Sequence, residues 1–293
     1  MSAHPQPHSL SQPKREHEPE PEPEPEPGRG PLVEDEHDAY GTHGVVRLTL
    51  NRPAAFNALS EALLDELHTQ LAALEHSDAR VVVLAGAGRA FCAGHDLKEM
   101  RAAPSLDYYQ RLFARCTKLM LTIRRLPQPV IARVHGIATA AGCQLVAMCD
   151  LAVAADTARF ATSGVNLGLF CATPSVPLSR NMMPKPALEM LLTGEFIDAL
   201  AARQQGLVNR VAPLDGLDAE IAALAASICA KPRDAVSAGK SLFYRQLEMG
   251  VEAAYQLAGQ TMACNMMMDS ALEGVQAFID KRPPQWGPQW GPQ

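Results

Sequence analysis

The chain has 293 residues, room for one large domain or two small ones, and its 47% apolar and 20% charged residues are the proportions of a globular protein with a substantial core. No stretch approaches the roughly 20 unbroken apolar residues of a membrane helix, which excludes a helical span. The formal charge of −6 sits in the first forty residues, where ten acids face only Lys14, Arg15 and Arg29 for −7 and leave the remainder at +1. A remainder so balanced lacks the basic stripe with which nucleic-acid binders collect phosphates, so no nucleic-acid partner is expected.

In chain order, residues 1–40 read as a disordered Glu/Pro-rich tail. The strict Glu-Pro alternation from Glu18 to Pro27 cannot bury apolar surface and lacks a backbone donor at every second residue. Neither an apolar secretory stretch nor an Arg-rich, acid-poor transit helix is visible, so the cytoplasm is the expected compartment and the mitochondrial matrix the alternative. Residues 41–183 read as an α/β core with strands at 45–50, 81–85, 130–134 and 151–154. Between them, Ser60 caps a helical stripe of Leu63, Leu64, Leu67, Leu71 and Leu74, and Ser105 caps a second through Leu112, Phe113, Cys116, Leu119, Met120 and Ile123. Strand–helix alternation of this kind predicts parallel β units with crossover helices. After Pro184 the strand signal stops, and 184–282 reads as helices over 185–192, 198–205, 217–229, 233–247, 251–268 and 270–281. Residues 283–293 read as a flexible tail carrying a repeated Pro-Gln-Trp-Gly with Trp286 and Trp290.

The seven cysteines, Cys92, Cys116, Cys143, Cys149, Cys171, Cys229 and Cys264, form no paired spacing, which predicts buried free thiols, a reducing compartment and no metal. Two phosphate-loop look-alikes fail on spacing: Phe91 stands where a dinucleotide turn after Gly86-Ala-Gly88 needs glycine, and Asp234 where a P-loop ending at Ser241 needs it. No Gly-x-Ser-x-Gly elbow is present. Two glycine-containing turns stand out, one over 91–100 and one over 134–150, each following a strand. Such turns either hold ordinary turn chemistry or bring two backbone N–H groups onto one carbonyl oxygen as an oxyanion hole.

These segments resemble the enoyl-CoA hydratase/isomerase superfamily, the crotonase (ClpP-like) fold, over 44–286. Asn51-Arg-Pro-Ala-Ala-Phe-Asn-Ala-Leu59 looks like its first-turn motif, 90–100 and 136–150 like its two oxyanion turns, and Leu192-Thr-Gly-Glu195 with Gly206-Leu-Val-Asn-Arg-Val211 completes the order. The resemblance implies a spiral of β-β-α units and a C-terminal helical trimerisation region giving a homotrimer or hexamer. It also implies a groove for an acyl-CoA thioester, with coenzyme A as part of the substrate and no separate cofactor, and a lyase-like place in fatty-acid metabolism. Carried over residue by residue, the oxyanion donors are the N–H groups of His95 and Ala141, while the His95 imidazole either donates to substrate or packs. The family's usual cation after Arg52-Pro53 is Ala54 here, which leaves coenzyme A contacts to Arg52, Ala54, Ala93, Lys98 and a neighbouring subunit's Lys281.

The chemistry departs from the family's pattern. Its hydratases use two glutamates, and those positions hold Gln144 and Gly164. An amide orients water but takes no proton near neutral pH, and glycine offers no side chain. Each missing acid–base group costs about 10² to 10⁴ in rate, against roughly 10² to 10³ supplied by one oxyanion donor. Ordinary hydration is therefore expected to be weak or absent. Ser163 is the foremost substitute, ahead of Cys143, Cys171 and Asp150. A silent acyl-CoA sensor or partner subunit, a thioesterase or decarboxylase, and a scaffold presenting the acidic tail all stay open as alternatives.

Overall fold

The computed structural model describes residues 30–286; the Glu-Pro alternation and Trp290 lie outside the described residues. The elements follow in the order β1 (Val33–Glu36), β2 (Val45–Leu50), α1 (Glu61–Leu74), β3 (Val81–Gly86), β4 (Ala90–Cys92), α2 (Leu97–Ala102), α3 (Leu106–Arg125), β5 (Val130–Val134), β6 (Ile137–Thr139) and α4 (Ala141–Met148). Then come β7 (Leu151–Ala155), β8 (Arg159–Ala161), α5 (Ala172–Asn181), α6 (Pro184–Thr193), β9 (Ile197–Asp198), α7 (Ala199–Gln204) and β10 (Arg210–Ala212). The chain closes with α8 (Leu217–Cys229), α9 (Arg233–Gln246), α10 (Val251–Met266) and α11 (Asp269–Ile279).

The strands form two sheets. The larger has the order β1-β2-β3-β5-β7-β10 and is parallel except for β1 on β2; the smaller has β4-β6-β8-β9 and is parallel except for β9 on β8. The pairs β3-β4, β5-β6 and β7-β8 each give one strand to each sheet before the next helix, the spiral of β-β-α units that the resemblance implies. The larger sheet is covered on both faces, so its strands read as unbroken apolar runs. Val81 and Val83 of β3 pack with Ile131, Val153 and α8 (Leu217, Ile221), whereas Val82 and Leu84 face the main core with Leu48, Leu67 and Ile123. Period-2 alternation of Cβ directions places the two sets on opposite faces. Ser60 and Ser105 cap α1 and α3 as expected, accepting from the N–H groups of Leu63 and Tyr108.

Several boundaries differ from the sequence reading. Ordered structure begins before residue 41, because β1 pairs with β2 and buries Val33, whose N–H donates to Glu66 and whose carbonyl accepts from Gln70. A strand with one inward residue and three acids carries no alternation signal. The smaller sheet, and β9 and β10 beyond Pro184, were not legible either: these strands are two or three residues long and pair with partners distant in sequence. At the C-terminal end, residues 283–286 are tied back rather than free. The Gln285 N–H donates to Glu273, which also pairs with Arg282, and the Trp286 ring lies against Gly274. Cys264 is exposed, unlike the other six cysteines.

One buried polar cluster docks α9 on the sheets. Asp150, just before β7, accepts from Lys240 Nζ (2.6 Å), Tyr244 Oη (2.8 Å) and the Val130 N–H (2.6 Å), and Lys240 also donates to the carbonyls of Ile123 and Gln128. Burial pushes the Asp150 carboxyl up and pulls the Lys240 ammonium down, each opposed by the other's charge. Lys240→Met leaves the carboxylate buried without a counter-ion and is expected to cost about 3–5 kcal/mol. Tyr244→Phe removes one hydrogen bond to a charge and is expected to cost about 1.5–3 kcal/mol. Denaturant titration reads both, and an unchanged midpoint for Lys240→Met would show that the cluster does not anchor the helix.

Candidate active site

The two glycine turns meet. β4 and β6 are neighbours, with Ala90 opposite Ile137 and Cys92 opposite Ala138, so the segments leaving them run side by side. Gly94 has φ +97°, and a Cβ there would stand 2.9 Å from Ala140 Cβ and 3.2 Å from Ala141 N. A Cβ on Gly142 would stand 2.1 Å from the Cys92 carbonyl oxygen. Side chains at either position would force the turns apart. Ala140 itself has φ 50° and ψ −120°, a sparsely populated conformation for a residue with a Cβ, which turns the chain into α4.

The strained entry leaves the Ala141 N–H at the first position of α4, where helix N–H groups have no intrahelical acceptor and the dipole is positive. Leu59 bridges the other turn, donating to the Gly94 carbonyl (2.7 Å) and accepting from the Asp96 N–H (3.1 Å), so the His95 N–H faces away from that bridge. Among the described residues neither N–H finds a protein acceptor. The structure therefore sets the two predicted donors on adjoining backbone segments, separated by Gly94.

Side chains around the turns hold this arrangement. Arg52 donates to the Ala58 carbonyl (2.6 Å) and to Asp96 Oδ2 (3.0 Å), while Asp96 Oδ1 caps α2 through the N–H groups of Lys98 and Glu99. Burial alone would raise the Asp96 carboxyl, but Arg52 and the capping N–H groups outweigh it and hold it below its usual range. Arg52 is thus spent inside the protein, a correction to its expected role as a phosphate cation. Asn57, fully buried at φ 55°, accepts from the Arg52 N–H and donates to the carbonyls of Ala87, Ala90 and Phe91. It stitches the first-turn motif to β4, a role its place in the motif did not reveal. Ala54 is exposed in a short 3₁₀ turn, and Ala93 is partly buried with its N–H on the Phe56 carbonyl. Near Ala54, the exposed Arg89 stacks on Phe56 at 5.0 Å, a cation that the sequence reading passed over. Lys98 is exposed in the first turn of α2, and Lys281 follows α11 with φ 53°.

At the acid–base positions, Gln144 is buried with its Oε1 unpartnered and forms part of the wall of a cavity of about 570 Å³ between α3, α4, α5 and α9. Gly164 is sealed: a Cβ would lie 2.6 Å from the Leu169 carbonyl oxygen and 2.7 Å from Cys171 Sγ. Ser163 Oγ hydrogen-bonds Thr139 Oγ1 at 3.0 Å, and no general base adjoins it among the described residues. Cys143 is pushed up to about 12 by burial and Cys171 is raised for the same reason, so both are protonated thiols. Asp150 belongs to the cluster under α9. The His95 imidazole packs edge-on against Phe113 at 5.6 Å, and burial lowers it to about 4 against the opposing pull of a hydrogen bond to the Leu59 backbone.

Two outcomes follow from this geometry. With His95 neutral in the fold down to about pH 4 and ordinarily titrating near 6.5, the unfolded chain alone binds the proton between those values. Stability is then lost as pH falls from 6.5 toward 4, and the difference between the unaltered protein and His95→Gln, read by denaturation across that window, isolates this loss. Gly142→Ala is expected to destabilise by about 1–3 kcal/mol through overpacking; a neutral effect on the thermal midpoint would mean that α4 yields freely.

A family model described as enoyl-CoA hydratase/isomerase matches residues 41–289. The mouse protein named enoyl-CoA hydratase domain-containing protein 3, mitochondrial, is 46% identical over 83% of this chain and 81% of its own length. The crystal structure of an enoyl-CoA hydratase from Mycobacterium smegmatis superposes with a TM-score of 0.85 at 63% identity, covering 88% of this chain and 99% of that one. The human domain-containing protein 3 superposes at 0.83 with 42% identity, over 87% and 100% respectively. With this fold and these two apposed turns, the chain belongs to the enoyl-CoA hydratase/isomerase family.

Proposed function

We propose that the protein binds an acyl-CoA thioester and polarises its carbonyl between the N–H groups of His95 and Ala141. The observation that carries this reading is the pairing itself: two backbone donors without acceptors, one at a helix N-terminus, set either side of a glycine that admits no side chain. Among the described residues taken as acid–base candidates, none offers a group that titrates near neutral pH. His95 is neutral, Gln144 is an amide, Ser163 has no base, and Gly164 is filled by its neighbours. The site suits stabilisation of a developing oxyanion and does not suit activation of water, so ordinary 2-enoyl-CoA hydration is slow. Fatty-acid metabolism is the setting that this substrate class indicates.

The exposed Arg89 and Lys98 are the candidate contacts for coenzyme A phosphates, and Arg52 is engaged by Asp96. The exposed apolar side chains of the last two helices, Tyr255 at 77% and Phe278 at 85% exposure, support self-association as a trimer or hexamer, in which Lys281 would meet a neighbour's groove. The vertebrate relatives are named mitochondrial, whereas the Mycobacterium smegmatis protein comes from a bacterium. The cytoplasmic reading follows the latter, with the matrix as the alternative.

Stopped assays with crotonyl-CoA and longer 2-enoyl-CoAs test the reading. Loss of the conjugated thioester is expected near background, while calorimetry detects binding of the same esters. Gln144→Glu is expected to raise hydration by about 10², the low end for one acid–base group. Gly164→Glu is expected to misfold the segment after β8 instead of restoring activity. Rapid hydration by the unaltered protein would overturn the assignment of Gln144 and Gly164 as inactive positions.

A further inference from the structure

The cavity beside Gln144 has chemically distinct ends. On α3, Thr117, Met120, Leu121 and Arg124 line it, and Phe113, which holds the His95 ring, precedes them on the same stripe. At 1.5 Å per residue, the helix carries Arg124 roughly 16 Å beyond Phe113. The opposite wall runs the same way: Asn181 Nδ2 donates to the Ala147 carbonyl at 2.9 Å, so the end of α5 that bears Arg180 lies beside the end of α4 remote from Ala141. Met148, Val176, Phe243 and Leu247 add apolar surface to the same cavity, beside the polar Thr173 and Ser179.

At the remote end, two guanidinium groups share one carboxylate. Glu248 Oε1 accepts from Arg124 at 2.9 Å and lies 3.9 Å from Arg180 Nε. An adjoining cavity of about 700 Å³ shares Arg124 and Glu248 and adds Arg125, Arg245, Glu75 and His76, so cations outnumber acids on this side. An alkyl chain that ended here would cover charged groups without offering them a partner, which is costly. A second carboxylate would instead complete the pairing, and Arg180, which donates one N–H to the Val176 carbonyl at 3.1 Å, is about half exposed, as is Glu248.

We infer that the cavity selects acyl chains that end in a carboxylate, holding the apolar body between Met120, Met148, Val176 and Leu247 and the terminal carboxylate on Arg180 and Arg124. The inference rests on the acyl-CoA reading above and names its substrate class: mono-CoA esters of long dicarboxylic acids.

The test titrates the full-length protein by calorimetry with dodecanoyl-CoA and with the mono-CoA ester of dodecanedioic acid. The dicarboxylic ester is expected to bind about tenfold tighter, the worth of one hydrogen-bonded charge contact, and the preference to shrink as salt is added. Arg180→Ala is expected to bring the affinity ratio close to one, and Glu248→Gln to raise it by removing the competing carboxylate. Because the ratio is the readout, a variant that folds poorly lowers both affinities and does not imitate the result. Equal or weaker binding of the dicarboxylic ester, or a ratio unmoved by Arg180→Ala, overturns the inference while leaving the acyl-CoA reading intact. Failure of both esters to bind overturns the two together.

Discussion

The close approach of two backbone turns is the constraint on which the site depends. Gly94 and Gly142 each stand where a Cβ would collide with the other turn, and that contact brings the backbone at His95 and Ala141 side by side. Everything nearby serves the approach. Asn57 bonds three carbonyls around β4, Arg52 ties the first turn to Asp96, and Asp96 in turn caps α2. The unfavourable backbone of Ala140 is held by the Gln144 N–H on its carbonyl and by its own N–H on Ala161. An oxyanion hole made of backbone costs no reorganisation when charge develops, because its donors are fixed before the ligand arrives.

On the proposed reading, preorganised donors surrounded by neutral groups define what this site does well. Burial removes His95 from acid–base work, and Gln144, whose amide oxygen finds no hydrogen-bond partner among the described residues, lines the cavity. At Gly164 there is no space for a side chain of any kind, since the Leu169 carbonyl and Cys171 sulfur fill it. This is a different situation from a simple residue exchange in an unchanged pocket. The surrounding chain has closed over the position.

The Asp150 cluster connects stability to the cavity. Lys240 and Tyr244 fix α9 against the sheets, and the same helix contributes Phe243 and Tyr244 to the cavity wall, with Leu247 and Glu248 just past its end. Arg124 stacks on the Tyr244 ring at 4.8 Å while bonding Glu248, so the charged end is built on the anchoring residue. A helix with no fully buried residue is thereby held by a few polar contacts, and the cavity it closes inherits their geometry.

The sequence by itself determined the long elements: the strands beginning at Val45, Val81, Val130 and Leu151, the Ser60 and Ser105 caps, and every helix after Pro184 to within a few residues. These are encoded locally, in side-chain periodicity and capping. It also determined the missing carboxylates, since residue identity alone shows that Gln144 and Gly164 cannot titrate. Only the tertiary structure decided the rest. Arg52 looked free until Asp96 was seen beside it, Gly164 looked vacant until Leu169 and Cys171 were seen to fill it, and Val33 looked like tail until β2 paired with it. Two- and three-residue strands, cross-chain hydrogen bonds and the shape of a cavity are set by partners distant in sequence, and local pattern carries no record of them.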